Sequence, residues 1–265
     1  MRVHPKPPAP AETFAWNWQP WGWLLTCTPL AAAAVHGFTT RQLAIAGGTG
    51  HNEAEWHALA ATAGVARNSL AAVTQVHGAS VVRAYAHEAG VRPRADGLAG
   101  DDPDVALTVR VADCVPLLVA DARRGVAAAV HAGWRGTAAG IAGAAVSLLA
   151  RSFGCAPGDM AAALGPSIGA CCYAVGPELT DAFRAGGHGS AVDRWFRPGP
   201  ERLHLDLWAA NRDQLVSAGV PNTSVFVSGL CTACHPEWFY SYRREGAAAG
   251  RLVGFIRPSG ASRQA

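Results

Sequence analysis

Apolar positions in this chain fall mostly into short continuous runs, and only a few follow a helical repeat. VALTVRVAD (105–113) and VPLLVADA (115–122) are rich in β-branched and apolar residues, so both read as strands. GVAAAVHAGWRG (125–136) predicts a third buried strand, Val126 to Val130, which delivers His131 into a glycine-rich turn. A helix is expected directly after it, TAAGIAGAAVSLLARSF, with Thr137 as N-cap and Gly154 as its stop. That arrangement sets an imidazole beside free backbone N–H groups and Arg135, a natural place for an anion.

The remaining pattern is read the same way. Residues 21–35 form two short strands about a Thr-Pro turn, and 33–41 a strand followed by a polar turn. A short helix covers Glu53–Ala63, after a glycine- and alanine-rich stretch (42–55) without clear periodicity. QVHGASVVRAYA (75–86) alternates as a strand. MAAALGPSIGACCYAVG (160–176) reads as a buried strand, a turn and a second short strand that carries Cys171 and Cys172. Pro177 opens a helix through PELTDAFRA, residues 186–203 are loop, and 205–219 is a helix ended by Gly219. Segments 224–232, 237–245 and 251–256 complete the chain as three strands. The first twenty residues, with four prolines among the first ten, are expected to be an extended arm pinned by Trp16 and Trp18. Residues 21–265 then form a single α/β (α+β) domain with a large mixed sheet system.

Composition narrows the partners. Half of the residues are apolar, 15% are charged, and the net charge is +3 without a basic block. No nucleic-acid, membrane or obligate protein partner is expected. Seven cysteines do not make the regular framework of a small secreted protein, so reduced thiols and a cytoplasmic location are expected. WGWLLTCTPLAAAAV (21–35) is not read as a signal segment, because Glu12 and several prolines precede it and Pro29 interrupts it.

The candidate chemistry lies at strand ends. His77, Cys114 and His131 are spaced by 37 and 17 positions, so only the fold could join them. Two imidazoles and one thiolate suit Zn²⁺ and leave a fourth position for water or substrate, the catalytic pattern. A nucleophile–base dyad of Cys114 with His77 or His131 fits the same residues. Cys231-Thr-Ala-Cys234 is half of a structural zinc site with no visible second half. Cys171 and Cys172, adjacent on the expected strand, would point to opposite faces, so no zinc is expected there.

HGFTTR (36–41), TQVHG (74–78), ADG (95–97), ADCVPLL (112–118), VHAGWRGTAAGI (130–141), GPSIGACCYAVG (165–176), LDLWAANRDQL (205–215), CT (231–232) and FYSYRREG (239–246) occur in this order. On these motifs the chain, from roughly Val35 to Ile256, resembles the YfiH-type family, also called the laccase-domain or multicopper polyphenol oxidase family. The resemblance implies mixed sheets packed between helix layers and a zinc ion on His77, Cys114 and His131. It implies a purine nucleoside phosphorylase that takes adenosine, inosine, guanosine and S-methyl-5'-thioadenosine with phosphate, some members also deaminating adenosine. The family's other descriptions are a peptidoglycan editing hydrolase, removing L-Ser from a UDP-MurNAc precursor, and a laccase. The chain departs from the family pattern at QLAIAGGTGHNEAEW (42–56), where only Gly47-Gly48 are similar, and at ACHPEW (233–238).

Expected substrate contacts are Arg41, Gln75, Arg135, Gly165, Ser167, Arg243 and Arg244. Arg41 with Arg243, or Arg244 in place of the latter, leads for phosphate or purine, since a guanidinium fork matches an oxyanion. The local deaminase signature, His-x-Glu with Pro-Cys-x-x-Cys, is absent, and Asp113 on its expected strand would face away from Cys114. Multicopper sites cluster histidines as His-x-His, which none of the ten histidines forms. Zinc is therefore expected ahead of copper.

Overall fold

In chain order the strands are β1 (Phe14–Gln19), β2 (Gly22–Cys27), β3 (Val35–Thr39), β4 (Leu70–Ala72), β5 (Val81–Arg83), β6 (Gly97–Gly100), β7 (Ala106–Val111), β8 (Val115–Asp121), β9 (Val126–Ala132), β10 (Met160–Leu164), β11 (Ala174–Val175), β12 (Phe196–Pro198), β13 (Leu203–Leu205), β14 (Val225–Val227) and β15 (Leu252–Arg257). The helices are α1 (Glu53–Ala63), α2 (Trp134–Ala138), α3 (Ile141–Phe153), α4 (Glu178–Ala185), α5 (Val192–Trp195), α6 (Leu207–Ser217) and α7 (Tyr242–Glu245). This computed structural model describes residues 6–45, 52–85 and 92–260. Gly47 and Gly48, and part of the 42–55 and 75–86 stretches, lie outside the described residues.

Two six-stranded mixed sheets stack on each other, in the orders β1-β2-β3-β15-β7-β4 and β14-β10-β8-β9-β6-β5, with a small sheet β11-β13-β12 beside them. The continuous apolar runs explain the centre. Every residue of β8 and β9 is buried. Because side chains alternate along a strand, Val115, Leu117, Val119, Val126, Ala128 and Val130 enter one core, and Leu118, Ala120, Ala127 and Ala129 the other. The first core is closed by α3, which buries Ile141, Ala142, Ala145, Val146 and Leu149 along one stripe, and by Leu207, Ala210 and Leu215 of α6. The second lies between the sheets and takes Phe38, Leu107 and Val109. On the outer face of the first sheet, α1 packs Trp56 and Leu59 against Val253 and Phe255. The order is therefore helix, sheet, sheet, helix, as the resemblance implies.

Several local expectations need correction. Among the described residues of the 75–86 stretch only Val81–Arg83 is strand, because the N–H groups of residues 76–78 bond a buried carboxylate instead of a neighbouring strand. The helix after His131 starts at Trp134, with Gly133 rather than Thr137 at the N-cap position, and breaks at Gly140, whose φ of +81° no helix continues through. Thr137 instead accepts a hydrogen bond from Asn211 at its hydroxyl and one from Gln214 at its carbonyl, tying α2 to α6. Cys171 and Cys172 lie in a turn rather than a strand, since the N–H groups of Cys172 and Tyr173 both bond Gly169 O at 3.0 Å. Residues 237–245 are a turn followed by α7, because Trp238 and Phe239 bond His235 O and Arg243 N–H bonds the Asp113 carboxylate. Gly154 does end α3, at a φ of +67°.

Candidate active site

The site is assembled where β6 and β8 begin and β9 ends. Cys114 immediately precedes β8, His131 is the penultimate residue of β9, and His77 lies in the loop before β5. The sulfur and one ring nitrogen of each histidine lie within 4.8 Å of one another. The two imidazoles meet edge to face at 4.8 Å between ring centres. His77 and Asp113, beside Cys114, are the two non-glycine residues with positive φ among the described residues, at +60° and +83°. Such backbone costs energy and persists only where the surroundings enforce it.

Asp96 does the enforcing at His77. Its carboxylate, fully buried at the start of β6, accepts the backbone N–H groups of Val76 (3.3 Å), His77 (2.8 Å) and Gly78 (2.7 Å). It also accepts His131 Nδ1 at 2.9 Å, leaving Nε2 of that ring for the site. Burial alone would raise the Asp96 pKa, but the bonds from His131 and Gly78 outweigh it and hold the carboxyl below its ordinary value. Asp96 is a residue of this candidate site that sequence reasoning missed. The available signal was one acid, in ADG, at the head of an otherwise apolar strand.

Burial likewise opposes ionisation of the Cys114 thiol, yet His131 and then His77 bring its pKa down to about 6. Burial opposes the His131 imidazolium too, but Cys114 and Asp96 raise its pKa to about 9. Thiolate and imidazolium thus stabilise each other, and a divalent cation would take the place of the shared proton. The donor set fits such an ion: two imidazoles, one thiolate and a carboxylate behind one histidine. Gly133 fits the same picture. A Cβ there would come within 2.8 Å of Cys114 Sγ, so only glycine lets the chain pass the sulfur. At Gly136 a Cβ would meet Gly78 O at 2.6 Å, which holds α2 tightly against the His77 loop.

The three residues open into a cavity of about 520 Å³, within the range of small-ligand sites. Of the expected contacts it gathers Gln75, Arg135 and Arg243, and it adds Arg110, Arg251, Trp134, Tyr173 and Tyr242. Gln75 is locked by both ends of its amide to the backbone of Arg110, at 2.8 and 2.9 Å. Arg135 lies over Trp134 and Arg243 over Tyr173, at 4.3 and 5.1 Å. Among the described residues no carboxylate forms an ion pair with Arg110, Arg135, Arg243 or Arg251. Burial, with Arg92 and Arg251 nearby, lowers the Arg110 pKa, as expected in a strongly positive cavity. Asp113 also lines it, against the expectation that it faces away, because its left-handed backbone breaks strand alternation. Its two oxygens accept Thr232 Oγ1 and Arg243 N–H, both at 2.6 Å.

Arg41, Gly165, Ser167 and Arg244 are not brought to this cavity. Arg41 bonds Pro236 O and Glu245 and lies 4.6 Å from the Tyr240 ring centre. Gly165 is packed against the Phe38 ring, Ser167 is fully buried, and Arg244 donates to Ala233 O at 3.3 Å. Arg110 and Arg251 went unread, although a lone arginine inside the apolar run LTVRV was a usable signal.

Fold and site define an α/β protein whose stacked mixed sheets carry a three-ligand His/Cys/His cluster at the foot of an arginine-lined cavity. Residues 49–259 match the family described as multi-copper polyphenol oxidoreductase laccase, and the chain belongs to that family. It is 35% identical over 190 residues to purine nucleoside phosphorylase YlmD of Geobacillus stearothermophilus, covering 69% of each chain. It is 38% identical over 210 residues to a purine nucleoside phosphorylase of Deinococcus radiodurans, covering 78% of each. The crystal structure of YlmD from Geobacillus stearothermophilus superposes with a TM-score of 0.83 at 33% identity, over 92% of this chain and 98% of that one. Among the described residues no helix is long and apolar enough to cross a membrane.

Proposed function

We propose that the protein is a zinc-dependent purine nucleoside phosphorylase, acting on adenosine, inosine, guanosine and S-methyl-5'-thioadenosine. The observation that carries this is the cavity itself: four arginines without carboxylate partners beside a three-ligand site with room for a fourth. Phosphorolysis needs an anion held against a sugar, and guanidinium groups without carboxylate partners supply it, although Arg243 also donates to Ala174 O and Arg251 to Ala249 O and Gly250 O. Arg110, Arg135, Arg243 and Arg251 hold phosphate, while Trp134, Tyr173 and Tyr242 offer faces for the purine and ribose. One phosphate oxygen forms a bond to ribose C1' as the bond to the purine nitrogen breaks, and the purine leaves with the electron pair and takes up a proton. Burial pushes the Tyr173 phenol pKa up, so it remains a neutral hydrogen-bond donor toward the cavity. His77, Cys114 and His131 would hold zinc, which supplies a Lewis acid when bound.

Adenosine deamination needs a free acid–base group near the metal. Asp96 is occupied by four donors, and each oxygen of Asp113 already accepts one. That favours phosphorolysis. The test incubates zinc-loaded protein with adenosine, inosine and methylthioadenosine, with and without phosphate, and separates the products. Free base and pentose 1-phosphate are expected only with phosphate. Inosine from adenosine, base release without phosphate, or serine released from a muramyl precursor with no nucleoside turnover would each replace this reading.

A further inference from the structure

A second group of potential ligands lies outside the cavity. Cys171, Cys172, Cys231 and Cys234 place their four sulfurs within 4.8 Å of one another, and none of them lines the arginine cavity. Cys234 Sγ lies 3.5 Å from Cys171 Sγ and 3.4 Å from Cys172 Sγ. Zinc bound tetrahedrally to four thiolates at about 2.3 Å separates the sulfurs by about 3.8 Å, so the group already has nearly the size of that site. An iron–sulfur cluster interposes several irons and sulfides and needs its thiolates farther apart. The backbone N–H groups of Gly169, at 3.3 Å, and Cys234 point at Cys231 Sγ, the partners a metal-bound thiolate takes. All seven cysteines are free of disulfides.

Adjacency of Cys171 and Cys172 does not prevent chelation, because the two residues lie in a turn and not on an extended strand. Cys171 and Cys172 are wound about Gly169 O rather than extended, so both sulfurs approach Cys234. Cys231 is bridged to Ser167 at the other side of the same turn.

We propose that Cys171, Cys172, Cys231 and Cys234 form a closed, four-thiolate structural zinc site, distinct from the His77/Cys114/His131 site. It staples the turn after β10 to the turn before α7. Those two segments carry Tyr173 and Arg243 into the cavity, so the staple is a positioning device for them. The inference stands on the cysteine geometry and does not depend on which reaction the cavity performs.

Metal content is the direct test. The intact protein, produced with zinc and dialysed, is expected to hold two zinc ions per chain, with one lost in Cys234→Ser and one in Cys114→Ser. A single zinc, lost in Cys114→Ser and retained in Cys234→Ser, overturns the proposal, as does iron with acid-labile sulfide. A second measurement needs no variant that might misfold: alkylation of the unmodified protein, read residue by residue by mass spectrometry. Exposed Cys171 and Cys234 are expected to be protected when zinc is bound and to become reactive after chelation. Equal reactivity in both states, or a disulfide between Cys234 and Cys171 or Cys172 in the reduced, zinc-loaded protein, overturns it.

Discussion

Cys114 and His131 stand at the ends of the buried strands β8 and β9 with His77 in a loop beside them, whereas the four cysteines stand in two turns, Cys171 and Cys234 exposed and Cys231 buried. The first group is held by layers of structure behind it: Asp96 fixes His131 and the His77 backbone, and Gly133 makes space for the sulfur. It offers three ligands and faces a cavity. The second group offers four thiols, does not line that cavity, and is held by turn hydrogen bonds and by the bridge from Cys231 to Ser167. The difference teaches what each is suited for. Three ligands on a rigid frame leave a position where chemistry can occur, while four ligands spend every position on holding the chain.

That contrast breaks most sharply at Cys114. Cys114→Ser is expected to remove the cavity metal and reduce turnover by more than the roughly 10–100-fold lost when an outer partner of a metal ligand is removed. Steady-state kinetics with metal analysis would show it, and unchanged turnover would end the catalytic assignment. Asp96→Asn comes next, since the carboxylate serves four donors at once. Metal affinity should fall by roughly 10–100-fold, with stability also reduced, measured by competition with a chelator. Arg135→Gln and Arg243→Gln should raise KM for phosphate more than they lower kcat. Loss of one charge-assisted hydrogen bond, about 1.5–3 kcal/mol, corresponds to roughly ten- to a hundredfold. The smallest effect concerns the frame. Asp206 caps α6 by accepting Ala209 N–H at 2.9 Å, and α6 holds Thr137 of α2. Asp206→Ala should cost about 1 kcal/mol in denaturant unfolding.

The two sites also differ in how far they could be read from the residues. Cys114 and His131 each end or interrupt an apolar run, so the pattern places them at strand ends, while His77 sits in a segment that alternates like a strand and is a loop. What joins them was not local: Asp96 gives its effect through backbone N–H groups of a loop that alternates like a strand. The apolar runs carry the mixed sheet system, whose strands β8 and β9 are covered on both faces, while the stacking of sheets between helices comes only from the family resemblance. The segments misread as strand, 75–80, 170–173 and 237–245, share one cause. Each spends its backbone N–H groups on a side-chain carboxylate or a turn carbonyl, which hydrophobic patterning does not register. The cysteine cluster was hidden by the same error at Cys171 and Cys172. Arg110 was hidden because β7 was read for its apolar content rather than for its exception.

The most direct test of the catalytic reading is the initial rate of base release from adenosine as phosphate is raised, in zinc-loaded protein and in Cys114→Ser. A rate that rises from zero and saturates with phosphate, and is absent in the variant, is the predicted result. A rate indifferent to phosphate, or equal in the two proteins, would contradict it.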